Sequence, residues 1–149
     1  MKNFDISIFD DEAHQLLKQL QERGDDLAPA MRKIAGIMAG AVELNFEREG
    51  RPRWPALAAG TIKQREKMGK WPGKILQRSG RLAKSWTKSS DRNSAKVGSN
   101  WPTARIHETG GDAGRGHKAH IPARPVRTLT ARDIGEIKLV LMSYLFKGQ

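Results

Sequence analysis

Between Ile106 and Pro125 the chain reads IHETGGDAGRGHKAHIPARP, a stretch with three of its four histidines, four glycines and the cations Arg115, Lys118 and Arg124. Three imidazoles, His107, His117 and His120, with Glu108 or Asp112 as a carboxylate, are formally enough for a zinc site. The spacing opposes it. His117 and His120 are three residues apart, but Gly114, Gly116 and Pro122 around them break any rigid helical pair, and no His-Glu-x-x-His pattern occurs. Phosphate chemistry has no better support, because GGDAGRGHKAH matches neither Gly-x-x-x-x-Gly-Lys-Ser/Thr nor Gly-x-Gly-x-x-Gly. The chain has no cysteine, which removes thiolate metal sites, cysteine nucleophiles and disulfides. No Ser/His/Asp set or carboxylate pair in an apolar setting can be picked out. The residues therefore predict no catalytic group, no metal and no cofactor.

What the stretch can do instead is bind. A glycine-dense segment buries little, and ordering it costs about 1–2 kcal/mol per residue, so residues 110–120 are expected to form a mobile loop that orders on assembly. The following HIPARPVRTL has two prolines holding an extended backbone and reads as a sheet-edge strand. Arg115, His117, Lys118, Arg124 and Arg127 are the candidate contacts to a polyanion or an acidic partner.

The charge supports this. Residues 61–132 hold 17 Lys/Arg and 4 Asp/Glu, a net +13, whereas residues 1–60 hold 8 and 10, a net −2. The total of +11 thus comes from the middle of the chain, and such a field favours DNA or an acidic protein surface. Charge alone would also fit a stand-alone basic DNA-binding protein. That alternative lacks an evident recognition helix, since the most basic segments are loops.

Positioning these residues requires a packed domain, and 149 residues with 38% apolar content can supply one. FDISIFD alternates apolar and polar residues over 4–8, the period of a strand. Asp10 or Asp11 caps a helix over about 12–23, with Leu16, Leu17 and Leu20 as its apolar stripe. A long helix runs from Asp26 to about Glu49, its face formed by Ile34, Ile37, Ala41 and Leu44. Residues 50–74 are a mostly irregular, mobile connection with one helical stretch at 61–68, and its Trp54 and Trp71 act as loop anchors. SWTKSS and SAKVGSN form a hairpin turning at Asp91, Arg92 and Asn93, and a small helix covers 103–108. Thr130 caps a closing amphipathic helix carrying Ile134, Ile137, Leu141 and Tyr144. The order lacks a βα rhythm, which gives an α+β class: one domain over 1–149, with a small, curved, mainly antiparallel sheet against a long N-terminal helix and a C-terminal helix. Acidic residues near the N-terminus and the lack of an 18-residue apolar run predict neither a secretory leader nor a membrane span.

An ordered set of motifs spans almost the whole chain: RPRWPALAAGTIKQR with Trp54, Leu57, Thr61 and Arg65, then ILQRSGRLAKSW, VGSN, ARIHETGG and IPARP before the closing helix. In this the chain resembles the phage virion morphogenesis proteins, or tail-completion proteins, of long-tailed phages and Mu-like prophages. The resemblance implies a structural protein at the head-proximal end of the tail, needed for head–tail joining and carrying no catalytic residues. It further implies a place in the virion neck after assembly in the host cytoplasm. The implied partners are the tail terminator and the head–tail connector, with DNA in the channel and a homo-oligomeric ring, hexameric by the symmetry of tails. A monomer before assembly fits a mobile loop equally.

Overall fold

A computed structural model describes residues 10–147, so the expected strand over 4–8 lies outside the described residues. Helix α1 (Asp11–Glu22) starts where Asp10 accepts a 2.9 Å hydrogen bond from the Ala13 N–H, satisfying one of the free donors of the first turn. The long helix α2 (Ala28–Glu47) follows, with the Asp26 side chain accepting from the Ala28 N–H. Next come α3 (Ala59–Lys67), the single turn α4 (Arg81–Lys84), and a hairpin of β1 (Trp86–Ser90) and β2 (Ala95–Ser99). In its turn Asp91 Oδ1 accepts from the N–H groups of both Asn93 and Ser94 at 2.7 Å. Helix α5 (Ala104–Thr109), strands β3 (Gly111–Ala113) and β4 (Ala119–Ile121), and helix α6 (Ala131–Phe146) complete the order.

The α+β class holds, with a difference in the sheet. Among the described residues the strands form two separate two-stranded hairpins instead of one curved sheet. Each is short, with strands of five residues in the first and three in the second.

The chain divides into two compact units. The first comprises residues 10–41, 87–98 and 129–147, the second Val42–Trp86 and Ser99–Thr128. In the first unit α1 lies beside α6. Lys138 Nζ reaches Asp10 Oδ2 at 3.1 Å and Glu12 Oε2 at 2.9 Å, while the Arg23 guanidinium donates to the Leu145 carbonyl, so the two helices run in the same direction. The core here is built on Leu20, Leu27, Ile34, Met38, Ile137 and Leu141, all buried. Each fully buried side chain of this size contributes about 1.5–3 kcal/mol of transfer free energy. The start of α6 is fixed by reciprocal bonds: Thr130 Oγ1 accepts from the Asp133 N–H, and Asp133 Oδ2 accepts from the Thr130 N–H.

In the second unit the buried apolar residues include Phe46, Trp54, Ile75, Leu82 and Val126, and four polar or charged residues are buried as well, Asn45, Arg65, Ser99 and Arg124. Trp54 meets Phe46 edge-on at 5.8 Å between ring centroids. Its Nε1 donates to the Pro125 carbonyl at 2.9 Å. Trp54 is therefore an interior residue, and Trp71 is half-buried.

Candidate interaction surface

The glycine-rich stretch folds into a small antiparallel hairpin with Gly111 opposite Ile121, Asp112 opposite His120 and Ala113 opposite Ala119. This corrects two expectations. The segment 110–120 has regular structure at both ends, and the extended strand expected over HIPARPVRTL is confined to its first residues, because β4 ends at Ile121. Beyond Ile121 the prolines withhold donors, and the backbone that remains is tied to the His107 carbonyl on α5 and to side chains instead of to a strand. Gly110 makes the junction possible. With φ at +71°, it brings the backbone so near Ala123 that an added Cβ would lie 2.7 Å from the Ala123 nitrogen.

At the hairpin tip a 3-10 turn over Arg115–His117 leads into Lys118. Arg115, His117 and Lys118 are all exposed, so three of the five expected contact residues lie together on the surface. The other two do not. Arg124 is only 5% exposed; its Nε donates to the Pro55 carbonyl and its Nη2 to the Ala56 carbonyl, each at 2.9 Å. Arg127 has a side chain 16% exposed and lies 3.3 Å from Glu108 Oε1. Both hold the fold together, and neither offers its charge to a macromolecular surface. Glu108, which the sequence singled out only as a possible metal ligand, also accepts from the Val126 N–H at 2.7 Å.

The histidines are dispersed by their roles. His120 Nδ1 lies 3.1 Å from Asp112 Oδ1 across the hairpin, an exposed cross-strand pair. His107, on α5, is half-buried, and burial followed by the neighbouring Arg124 charge lowers its pKa. Among the described residues no three His, Cys, Asp or Glu side chains converge in a way that could hold a metal ion. No described helix is long and apolar enough to cross a membrane.

Charge separates by unit. The second unit contains 16 Lys/Arg and 6 Asp/Glu, a net +10, while the rest of the chain holds 11 and 10, a net +1. Most of the basic middle seen in the sequence therefore falls in the second unit, while Lys88, Arg92, Lys96 and Arg132 belong to the first. Sequence reasoning missed Asn45 and Arg65 as buried polar residues. Only the apolar neighbours of Asn45 on α2 gave a signal, since they place it on the inward face of the helix.

Comparison with known proteins fits this picture. Residues 9–146 match the phage virion morphogenesis family. The Mu-like prophage FluMu G protein 2 of Haemophilus influenzae is 41% identical over 133 residues, covering 89% of this chain and 88% of the relative. No solved structure matches.

Proposed function

The chain belongs to the phage virion morphogenesis family, and we propose that it acts at the head-proximal end of the tail, completing the tail so that it can join a DNA-filled head. A role in building the virion follows from the family itself. The finer reading is supported by one observation above others: the net +10 of the second unit, with Arg115, His117 and Lys118 exposed at its hairpin tip.

A field of this sign draws in polyanions, and at moderate salt it acts over about 10 Å, so it works on immediate neighbours. At the head-proximal end of a tail those neighbours are the DNA in the channel and the rims of adjoining rings. The reading is of a structural protein, without catalysis, that meets the tail terminator and the head–tail connector in the virion neck after assembly in the host cytoplasm. A homo-oligomeric ring, hexameric to match the tail, is the form in which one exposed tip per subunit would line a common circle.

Reversing the tip charge tests this. Arg115→Glu with Lys118→Glu, supplied in trans to a phage lacking the gene, is expected to leave the protein folded and lower the yield of joined particles at least tenfold. Unchanged infectivity would remove the tip from the interface.

A further inference from the structure

Helix α6 carries an apolar face that no described residue of the first unit covers. Of the five large apolar side chains exposed among the described residues, three lie on it: Leu139 at 65%, Met142 at 37% and Phe146 at 55%. The other two, Met68 and Trp101, belong to the second unit. Over 139–146 the helix reads LVLMSYLF, so Ser143 alone there lacks an apolar body. Its inward side carries the buried Ile137 and Leu141. A helix apolar on all sides is one that a partner surrounds.

At about 100° per residue, Leu139, Met142 and Phe146 fall within about 60° of arc, on the side away from Ile137 and Leu141. Gly135 falls within the same arc, one turn before Leu139. It is half-buried, and a Cβ added there would meet nothing within 4 Å, so it is an open notch in the stripe. A projection, Phe146, and a gap, Gly135, thus stand at opposite ends, with Leu139 and Met142 between them. Turned end for end, the stripe fits itself. Pairing Phe146 with Gly135 of a second copy also pairs Leu139 with Met142, because both pairs share one midpoint. A two-fold axis through that midpoint keeps each flank of the stripe on one side, which brings Glu136 to about 3 Å along the helix direction from Lys147 of the second copy. A parallel two-fold pairing would set Lys147 against Lys147 and leave the notch empty. Within one chain Glu136 lies 3.6 Å from Arg132, and Lys147 rests over the Tyr144 ring at 5.1 Å. Both are exposed pairings, which cost little to exchange.

We propose that this face of α6 is an interface with a second copy of the chain, packed antiparallel about a two-fold axis. The helix is about 24 Å long, so one helix from each copy makes less contact than the roughly 1,600 Å² of a standard interface. The dimer is accordingly reversible and concentration-dependent. A two-fold contact is closed, since each copy uses its one α6, and so it differs from the head-to-tail contacts of a ring. It describes the protein free in solution and rests on the first unit, so it holds or fails independently of the tail-completion reading.

Sedimentation velocity of the full-length protein from about 1 to 200 μM, the range of a weak interface, tests this. The weight-average mass is expected to rise from one chain to two and stop there. Phe146→Glu should keep its Tm, because the side chain is exposed, and weaken association at least about tenfold. Gly135→Leu replaces a helical glycine in open space, so Tm should hold or rise, while filling the notch should also weaken association. General stickiness of an apolar face would make that variant associate more strongly, so this arm reads the register. Glu136→Lys and Lys147→Glu should each weaken the dimer, and the two together should restore it. A chain that stays monomeric throughout overturns the proposal and leaves the face to residues 1–9 or to another virion protein. So do masses that grow past two chains, association undiminished in Phe146→Glu or Gly135→Leu, or a double charge swap that fails to restore the pairing.

Discussion

Asn45 Nδ2 donates to the carbonyl oxygen of Val126 at 2.6 Å, and both residues are fully buried. The same amide nitrogen reaches the Thr128 carbonyl at 3.0 Å, and Asn45 Oδ1 accepts from Arg51 Nε at 2.7 Å. One side chain on α2 thus satisfies the backbone of the segment that follows the basic hairpin. That segment has few strand hydrogen bonds to rely on, because its prolines prevent them.

Asn45→Ala should therefore destabilise the protein by about 2–4 kcal/mol, since it leaves buried carbonyls without partners. Urea unfolding monitored by tryptophan fluorescence measures this. A loss under about 0.5 kcal/mol would mean that the Asn45 bonds contribute nothing net.

Arg115 and Arg124 are both basic residues of the same motif region, yet their substitutions should behave oppositely. Arg124→Glu places a carboxylate against the carbonyls of Pro55 and Ala56 and should cost about 3–5 kcal/mol. Arg115→Glu, at the exposed tip, should stay within about 0.5 kcal/mol of the parent. Equal unfolding midpoints for the two variants would contradict the burial of Arg124.

Thr130→Ala removes half of the reciprocal cap at the start of α6 and should cost about 1 kcal/mol, whereas Thr130→Ser should retain most of the stability. The same urea assay resolves the difference. If the alanine and serine variants unfold together, the cap contributes nothing.

His107 carries a pH signature. Its pKa in the folded protein is lowered, by burial first and by Arg124 second, so between that value and about 6.5 the unfolded chain binds more protons than the folded one. Stability from this residue is complete above about pH 6.5 and is lost as pH falls through the folded-state pKa. His107→Gln should flatten the fall in Tm between pH 7.5 and 5. An unchanged slope in the variant would place the titration elsewhere.

The local signals in the sequence were readable because they act over a few residues. Asp10 and Thr130 cap helices by bonding N–H groups three positions on, and Asp91 closes its turn by bonding residues two and three positions on. The misreadings share a different cause. Arg124 looks like a surface cation in the sequence, and only the tertiary arrival of Pro55 and Ala56 makes it an interior one. Likewise IPARP reads as a strand from its extended backbone. The Arg124 N–H bonds instead to the carbonyl of His107, the Val126 N–H goes to Glu108, and the Pro125 carbonyl accepts from Trp54. The short β3–β4 hairpin was hidden by its glycines, which bring no apolar alternation to mark a strand. Of the candidate contacts, the exposed tip was visible as charge, and the burial of Arg124 was not.

The tail-completion role is tested most directly by electron microscopy of a lysate from a phage with an early stop codon in this gene, beside a complemented control. Full heads together with normal-length but unattached tails are the predicted result, with joined particles restored by complementation. Intact, infectious particles in the uncomplemented lysate would contradict the role.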